Sequence, residues 1–258
     1  KYTEQGNYLF NYSGAKDNIN QPRIVNRSLM EDSFLSQPAT SSAIQSIGFV
    51  MANYIDAKLS ERIYMTNFVS QHTHTYNEKG FCTICGQYQP AVYNKSTDVY
   101  MINNAGQLFW FSSLVNGDHS YADFDKQNAG ANAELAANID LENKEWAPVN
   151  NYKGNFNGKG HSILNLNISK ASDYTGFFGS VNEGSVSNIT VYGDITVKNS
   201  ASHIGGVVGY INLGSVKNVV SYVNINNDKY GSQVTHAGGI IGSVGNDKTD
   251  IEKCICLL

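Results

Sequence analysis

The chain has 258 residues, of which only 16% are charged, well below the roughly 25% of an ordinary soluble domain. Its net charge of -4 argues against a nucleic-acid binder, which needs a basic face. No apolar run reaches the length of about 18 residues that crosses a membrane, and the 24 glycines favour frequent turns over long helices.

Residues 1–71 are polar and rich in turn-forming residues, and they give no fold prediction as a whole. Within them, apolar residues recur near helical spacing over residues 41–60, at Ile44, Ile47, Met51, Ile55 and Leu59. This spacing predicts one amphipathic helix, for which a serine at the start is a suitable N-cap.

Residues 72–91 form a short module that combines histidine with cysteine. The candidate metal ligands in it are His72, His74, Cys82 and Cys85. Zinc favours tetrahedral sets of nitrogen and sulfur ligands, and a Cys-x2-Cys turn followed by glycine is a suitable half-site. The competing interpretation is a disulfide between Cys82 and Cys85 after export. Both remain open at this point, and the only cofactor we expect is this structural zinc.

Two further elements precede the last third of the chain. Apolar residues at Leu108, Phe109, Phe111, Leu114 and Val115 predict a helix over about 104–115. Residues 132–141 predict a strand, because their apolar residues alternate. We expect the helix to cap the structure that follows by covering its open backbone edge.

The last third of the chain repeats itself. Residues 175–195 align with residues 205–225, and a pair of glycines recurs as Gly176/Gly179, Gly206/Gly209 and Gly239/Gly242. Self-similarity at a fixed period of about 20–50 residues is typical of a solenoid. The apolar residues within each unit alternate, so the repeating element is a strand.

The repeats therefore predict a mainly β fold, a right-handed parallel β-helix with short helices in the amino-terminal part and as a cap. The capped β-helix spans residues 92–258, with repeats at about 175–203, 204–236 and 237–258. The final residues read as an unfinished coil. We expect this coil to be exposed, to pair end to end with a neighbour, or to be cut from a longer protein.

The repeated segments GFFGSV, GGVVGYI and GGIIGSV resemble the GLUG motif of bacterial surface proteins, which also occurs in IgA-peptidase-type proteins. The preceding HTYNEKGFCTICGQYQPA (74–91) resembles a Cys-containing piece that precedes such repeats in gut Firmicutes surface proteins. The resemblance covers residues 72–258. It implies an exported protein, secreted or at the cell surface and often assigned to adhesion, and it transfers no catalytic residue.

Aromatic residues are the candidates for ligand binding. Trp110 and Trp146 are candidates for stacking on sugar rings, with packing in the core and cap as the competing interpretation. Tyr192 and Tyr222 occupy equivalent repeat positions, which predicts a stacked ladder on one outer face.

The sequence favours a noncatalytic surface or secreted protein that binds glycans or proteins of a host or microbe. The carboxylates of the repeats do not recur in register, and neither HExxH nor GxSxG is present. The alternatives are a polysaccharide-active β-helix enzyme, a lyase or a glycoside hydrolase, and a purely structural stalk.

Overall fold

The structure, a computed structural model, describes residues 2–4, 7–9, 73–227 and 233–257. The chain divides into two compact units. In the first, β1 (Tyr2–Glu4) pairs with β2 (Asn7–Leu9) in an antiparallel hairpin. The helix predicted over residues 41–60 lies outside the described residues, as does His72.

The second unit is a β-solenoid of about 5 turns, built from parallel stacked coils. It begins with an antiparallel pair, β3 (Val92–Asn94) and β4 (Val99–Ile102), and continues into helix α1 (Ala105–Asn116). The strands that follow are β5 (Ala133–Leu135), β6 (Ile139–Asp140), β7 (Asn155–Asn157), β8 (Ser162–Ala171), β9 (Phe178–Asn182), β10 (Ser185–Val197), β11 (Ile204–Gly205), β12 (Val208–Asn212), β13 (Ser215–Asn227), β14 (Ala237–Gly238), β15 (Ile241–Val244), β16 (Asp250–Glu252) and β17 (Ile255–Cys256).

Equivalent strands of successive coils lie side by side in parallel. The largest sheet runs through β3, β4, β5, β7, β10, β13 and β16. Beside this path, β8 pairs with β10, β6 with β8, and β17 with β13. A second sheet contains β9, β12 and β15, and β11 pairs with β14. The predicted parallel β-helix is thereby confirmed, and the strand predicted over 132–141 is present as β5 and β6. Among the described residues, no helix is both long and apolar enough to cross a membrane.

The core lies inside the coils and is formed by stacked apolar side chains. On β10 the buried residues are Val186, Ile189, Val191, Ile195 and Val197. Each turn repeats this pattern directly over the last, so that Ile189 pairs with Val219 of β13. Single coils cannot bury such a face alone, and the stack therefore shares one continuous core.

Asparagines form a hydrogen-bonded ladder at the corner where each long strand bends. The Asn218 side-chain amide donates to Asn188 Oδ1 at 2.9 Å, and the Asn188 amide donates to Asn157 Oδ1 at 3.0 Å. Asn188 and Asn218 both have left-handed backbone, with φ of 54° and 53°. This conformation interrupts the strand alternation, so that Val186 and Ile189, which are three residues apart, both face the core.

We predict that Asn188→Ala lowers the free energy of unfolding by about 2–3 kcal/mol, because it removes two ladder hydrogen bonds and forces alanine into left-handed backbone. Asn224→Ala is the matched control. Asn224 also donates to a ladder partner, Asp194 Oδ1 at 3.1 Å, and its backbone is not left-handed. Its loss is expected to cost under about 1 kcal/mol. Equal losses of unfolding free energy in the two variants, measured by urea unfolding, would contradict a special role for Asn188 in the asparagine ladder.

Helix α1 packs its aromatic residues onto the first coils. It begins at Asn104, whose side chain accepts from the Gln107 N–H at 2.9 Å, and ends at Gly117 in left-handed backbone with φ of 73°. Phe109 contacts the Trp146 ring at 5.2 Å between centroids, and Phe111 contacts Tyr152 at 6.2 Å. The helix therefore packs against the first coils, and its covering of their open backbone edge stays a prediction.

The last turn, formed by β16 and β17, exposes apolar side chains at Ile251, Ile255 and Leu257. Cys254 is partly buried and packs against the core, as expected for a residue equivalent to Ile189 and Val219. End-to-end pairing of this turn with a neighbour remains a proposal.

Candidate metal centre and aromatic ladders

The two cysteines of the amino-terminal module lie on a tight turn. The Gly86 N–H donates to the Cys82 carbonyl at 2.9 Å, and the Cys82 N–H donates to the Gln87 carbonyl at 2.8 Å. Gly86 has a φ of 74°, a left-handed conformation that suits glycine. The Cys-x2-Cys-Gly sequence therefore folds into the knuckle that zinc sites use.

A neighbouring segment brings a histidine to this knuckle. The Thr83 N–H donates to the Thr75 carbonyl at 3.0 Å. The potential ligand atoms of His74, Cys82 and Cys85 all lie within 4.8 Å of one another. Ligands of a tetrahedral zinc ion lie about 3.3–3.8 Å apart, given Zn–S and Zn–N bonds of about 2.3 and 2.0 Å. The three side chains are thus close to a zinc-binding arrangement. The structure does not describe His72, the fourth predicted ligand.

Cys82 and Cys85 are both buried. Burial raises the pKa of the Cys85 thiol to about 11, although the Gln87 N–H, which donates to its Sγ at 3.4 Å, acts in the opposite direction. A thiol that stays protonated is a poor nucleophile. The environment of Cys85 therefore does not favour thiol catalysis.

The structure corrects the expectation that Trp110 and Trp146 stack on a ligand. Their exposed fractions are only 5% and 1%. Each indole N–H donates to a carbonyl inside the protein, that of Asp123 for Trp110 and that of Phe177 for Trp146, both at 2.9 Å. Both rings belong to the packing between α1 and the first coils, which the competing interpretation predicted.

The predicted tyrosine ladder is confirmed. The rings of Tyr192 and Tyr222 are nearly parallel, at 3° and 4.6 Å between centroids, and 37% and 38% of the two residues is exposed. The Asn224–Asp194 hydrogen bond lies two residues further along the same strands. This strip of the outer face thus combines aromatic rings with polar groups.

A second ladder was missed in the sequence. The Tyr174 ring stacks on His203 at 4.7 Å, and His203 stacks on His236 at 4.9 Å. Neither histidine is among the residues for which the sequence predicts a role. Each ring residue lies directly before a bridged position, Thr175, Ile204 or Ala237, so aligning these positions would have revealed the ladder.

Tyr210 turns this second ladder into an aromatic corner, which we define as Tyr174, His203, His236 and Tyr210. The Tyr210 ring lies at 70° to Tyr174 and 88° to His203, at 5.6 and 5.5 Å between centroids. Tyr174, at one end, is 44% exposed. The corner therefore offers ring surfaces in two nearly perpendicular directions.

Polar side chains border the aromatic corner. Asp173 Oδ1 accepts from the backbone N–H and the hydroxyl of Ser202, at 2.7 and 2.9 Å. The Ser202 hydroxyl also lies 2.8 Å from His203 Nδ1. Carboxylate, hydroxyl and imidazole thus lie beside the rings.

In the part of the chain that the structure describes, the His74 cluster is the only group of three or more histidine, cysteine or carboxylate side chains arranged to hold a metal ion. Some solenoid carboxylates pair with lysines, as Glu134 does with Lys159 and Asp250 with Lys217. Comparison with family models, curated proteins and solved structures found no match to this chain.

Proposed function

We propose that this chain is a noncatalytic, exported scaffold of the GLUG-repeat type that binds glycans. The observation that carries the proposal is the aromatic corner, where Tyr174 and Tyr210 present nearly perpendicular rings beside Asp173 and Ser202. Sugars are recognised by an aromatic face together with polar groups that reach the ring hydroxyls. Export to the cell surface or medium is supported by the resemblance of the repeats.

The solenoid suits such a role because it holds the corner rigidly. Tyr174 lies directly before the bridge between Thr175 and Ile204, and Tyr210 is on β12, between β9 and β15. Residues on paired strands lose little conformational entropy when a ligand binds, which favours affinity.

The test is a glycan array probed with the purified chain, with soluble products assayed in parallel. Saturable glycan binding without product is expected. The double variant Tyr174→Ala/Tyr210→Ala should weaken this binding about tenfold or more, since a loss of about 1.4 kcal/mol corresponds to that factor.

Tyr192→Ala/Tyr222→Ala is the matched control, because it removes two exposed stacked tyrosines from the other ladder. This control should bind as the unaltered chain does. Equal loss in both double variants would remove the corner from the proposal. Product release would instead favour the polysaccharide-active enzyme, and the absence of any binding would favour a stalk.

A further inference from the structure

We propose that His74, Cys82 and Cys85 bind a zinc ion, and that this ion holds residues 75–91 against helix α1, so that metal binding completes the amino-terminal cap of the solenoid. Residues 75–91 are called the cap module below. This proposal is independent of the glycan-binding proposal, since the cluster and the aromatic corner involve different residues.

The donor set selects the metal. Two sulfur atoms and one imidazole nitrogen, all within 4.8 Å, suit zinc, whereas calcium and magnesium prefer oxygen ligands. The Gln87 N–H donates to Cys85 Sγ at 3.4 Å. Hydrogen bonds of this kind orient the side chains that bind a metal ion.

The cap module contacts the first turn of α1 directly. The Gly106 N–H donates to the Lys79 carbonyl at 2.7 Å, and the Asn104 side-chain amide donates to Gln89 Oε1 at 2.8 Å. The approach is close, because a Cβ added at Gly106 would lie 1.8 Å from the Gly80 carbonyl oxygen. The position of the module thus depends on its backbone being held in one conformation.

Aromatic packing extends this contact to the core. The rings of Phe81 and Tyr88 lie 5.9 and 5.3 Å from Phe109 of α1, and Phe109 in turn contacts Trp146 of the first coils. Phe81 immediately precedes Cys82, and Tyr88 follows the knuckle. A metal ion that fixes the knuckle therefore also fixes the two rings that cover Phe109.

The cap module has little regular structure of its own to fix it. The isolated bridges within it are Tyr76 with Cys82 and Phe81 with Tyr88. Segments this short bury too little surface to hold one conformation unaided, and natural proteins reinforce them with metals or disulfides. The free energy of zinc binding then contributes directly to folding.

The first measurement is the zinc content of the untagged full-length chain, purified under reducing conditions. One zinc per chain is expected. Cobalt substitution should give the thiolate charge-transfer and visible bands of a tetrahedral site. Cys82→Ser and His74→Ala should each lose these bands and the stoichiometric zinc. Cys254→Ser/Cys256→Ser is the matched control, since it removes the two cysteines at the other end of the solenoid, and it should keep both.

A second measurement avoids variants that fail to fold. Chelation of zinc from the unaltered chain should lower the thermal unfolding midpoint by about 5 °C or more and speed amide exchange in α1, and added zinc should reverse both effects. The proposal is overturned by a zinc-free chain with a Cys82–Cys85 disulfide, by zinc retained in Cys82→Ser, or by chelation that leaves α1 exchange unchanged.

Discussion

Trp146→Ala is expected to lower the free energy of unfolding by about 3–5 kcal/mol, the range for removing a buried aromatic side chain. The Trp146 ring stacks on Phe177 at 5.0 Å and 17°, and it also contacts Phe109 of α1. Alanine would leave a cavity between the helix and the coils. It would also leave the Phe177 carbonyl without its indole donor, which lies 2.9 Å away.

Urea unfolding followed by circular dichroism measures this effect without relying on the fluorescence of the chain's 2 tryptophans. The stability of Trp146→Phe should lie between that of the unaltered chain and that of Trp146→Ala, since phenylalanine keeps an aromatic ring but has no N–H donor. Tyr222→Ala is the control for removing a stacked ring on the outer face, 38% exposed, and it should cost less than about 1.5 kcal/mol. If Trp146→Ala costs no more than Tyr222→Ala, the contact between α1 and the coils contributes little.

Gly209→Ala should destabilise the solenoid by about 3 kcal/mol or more. Gly209 lies on β12, between β9 and β15. A Cβ there would lie 2.6 Å from the carbonyl oxygens of Gly179 and His203 and 2.7 Å from the Thr175 nitrogen. All three are backbone atoms, which cannot move aside as a flexible side chain does.

Gly130→Ala is the matched control, because the nearest atom to an added Cβ there is Asn128 Oδ1 at 3.6 Å. This variant should change the free energy of unfolding by less than about 1 kcal/mol in either direction. Thermal and urea unfolding of both variants provide the comparison. Similar stabilities would contradict the conclusion that close backbone approach explains this glycine of the repeat.

Much of the solenoid is predictable because two of the repeats align residue by residue in the sequence. In the sequence, Val186 aligns with Val216 and Ile189 aligns with Val219. The strands pair in that same register. The helix is predictable from its apolar spacing. The burial of Trp110 and Trp146 is not, because α1 is buried on nearly every side and its sequence shows no polar face.

The aromatic corner is harder to predict because loop length varies between coils. Hydrogen bonds between successive coils show this variation. Ser202 and Asp173 are 29 residues apart, whereas Gln233 and Ser200 are 33 residues apart. The varying length hides the alignment of Tyr174 with His203 and His236. For the metal cluster, the cysteine spacing is evident, but the proximity of His74 depends on backbone pairing that only the folded chain reveals.

Residues paired between β10 and β13 are a constant number of positions apart, so the solenoid can lengthen only by whole coils. Their ladder hydrogen bonds join residues 30 positions apart, at Asn188 with Asn218 and at Asp194 with Asn224. A duplicated segment of that size would extend the asparagine and tyrosine ladders without altering either end. Each duplication would move the ends apart by one strand spacing, about 4.8 Å. Duplication of the gene segment that encodes one coil can therefore lengthen the solenoid in steps of one strand spacing.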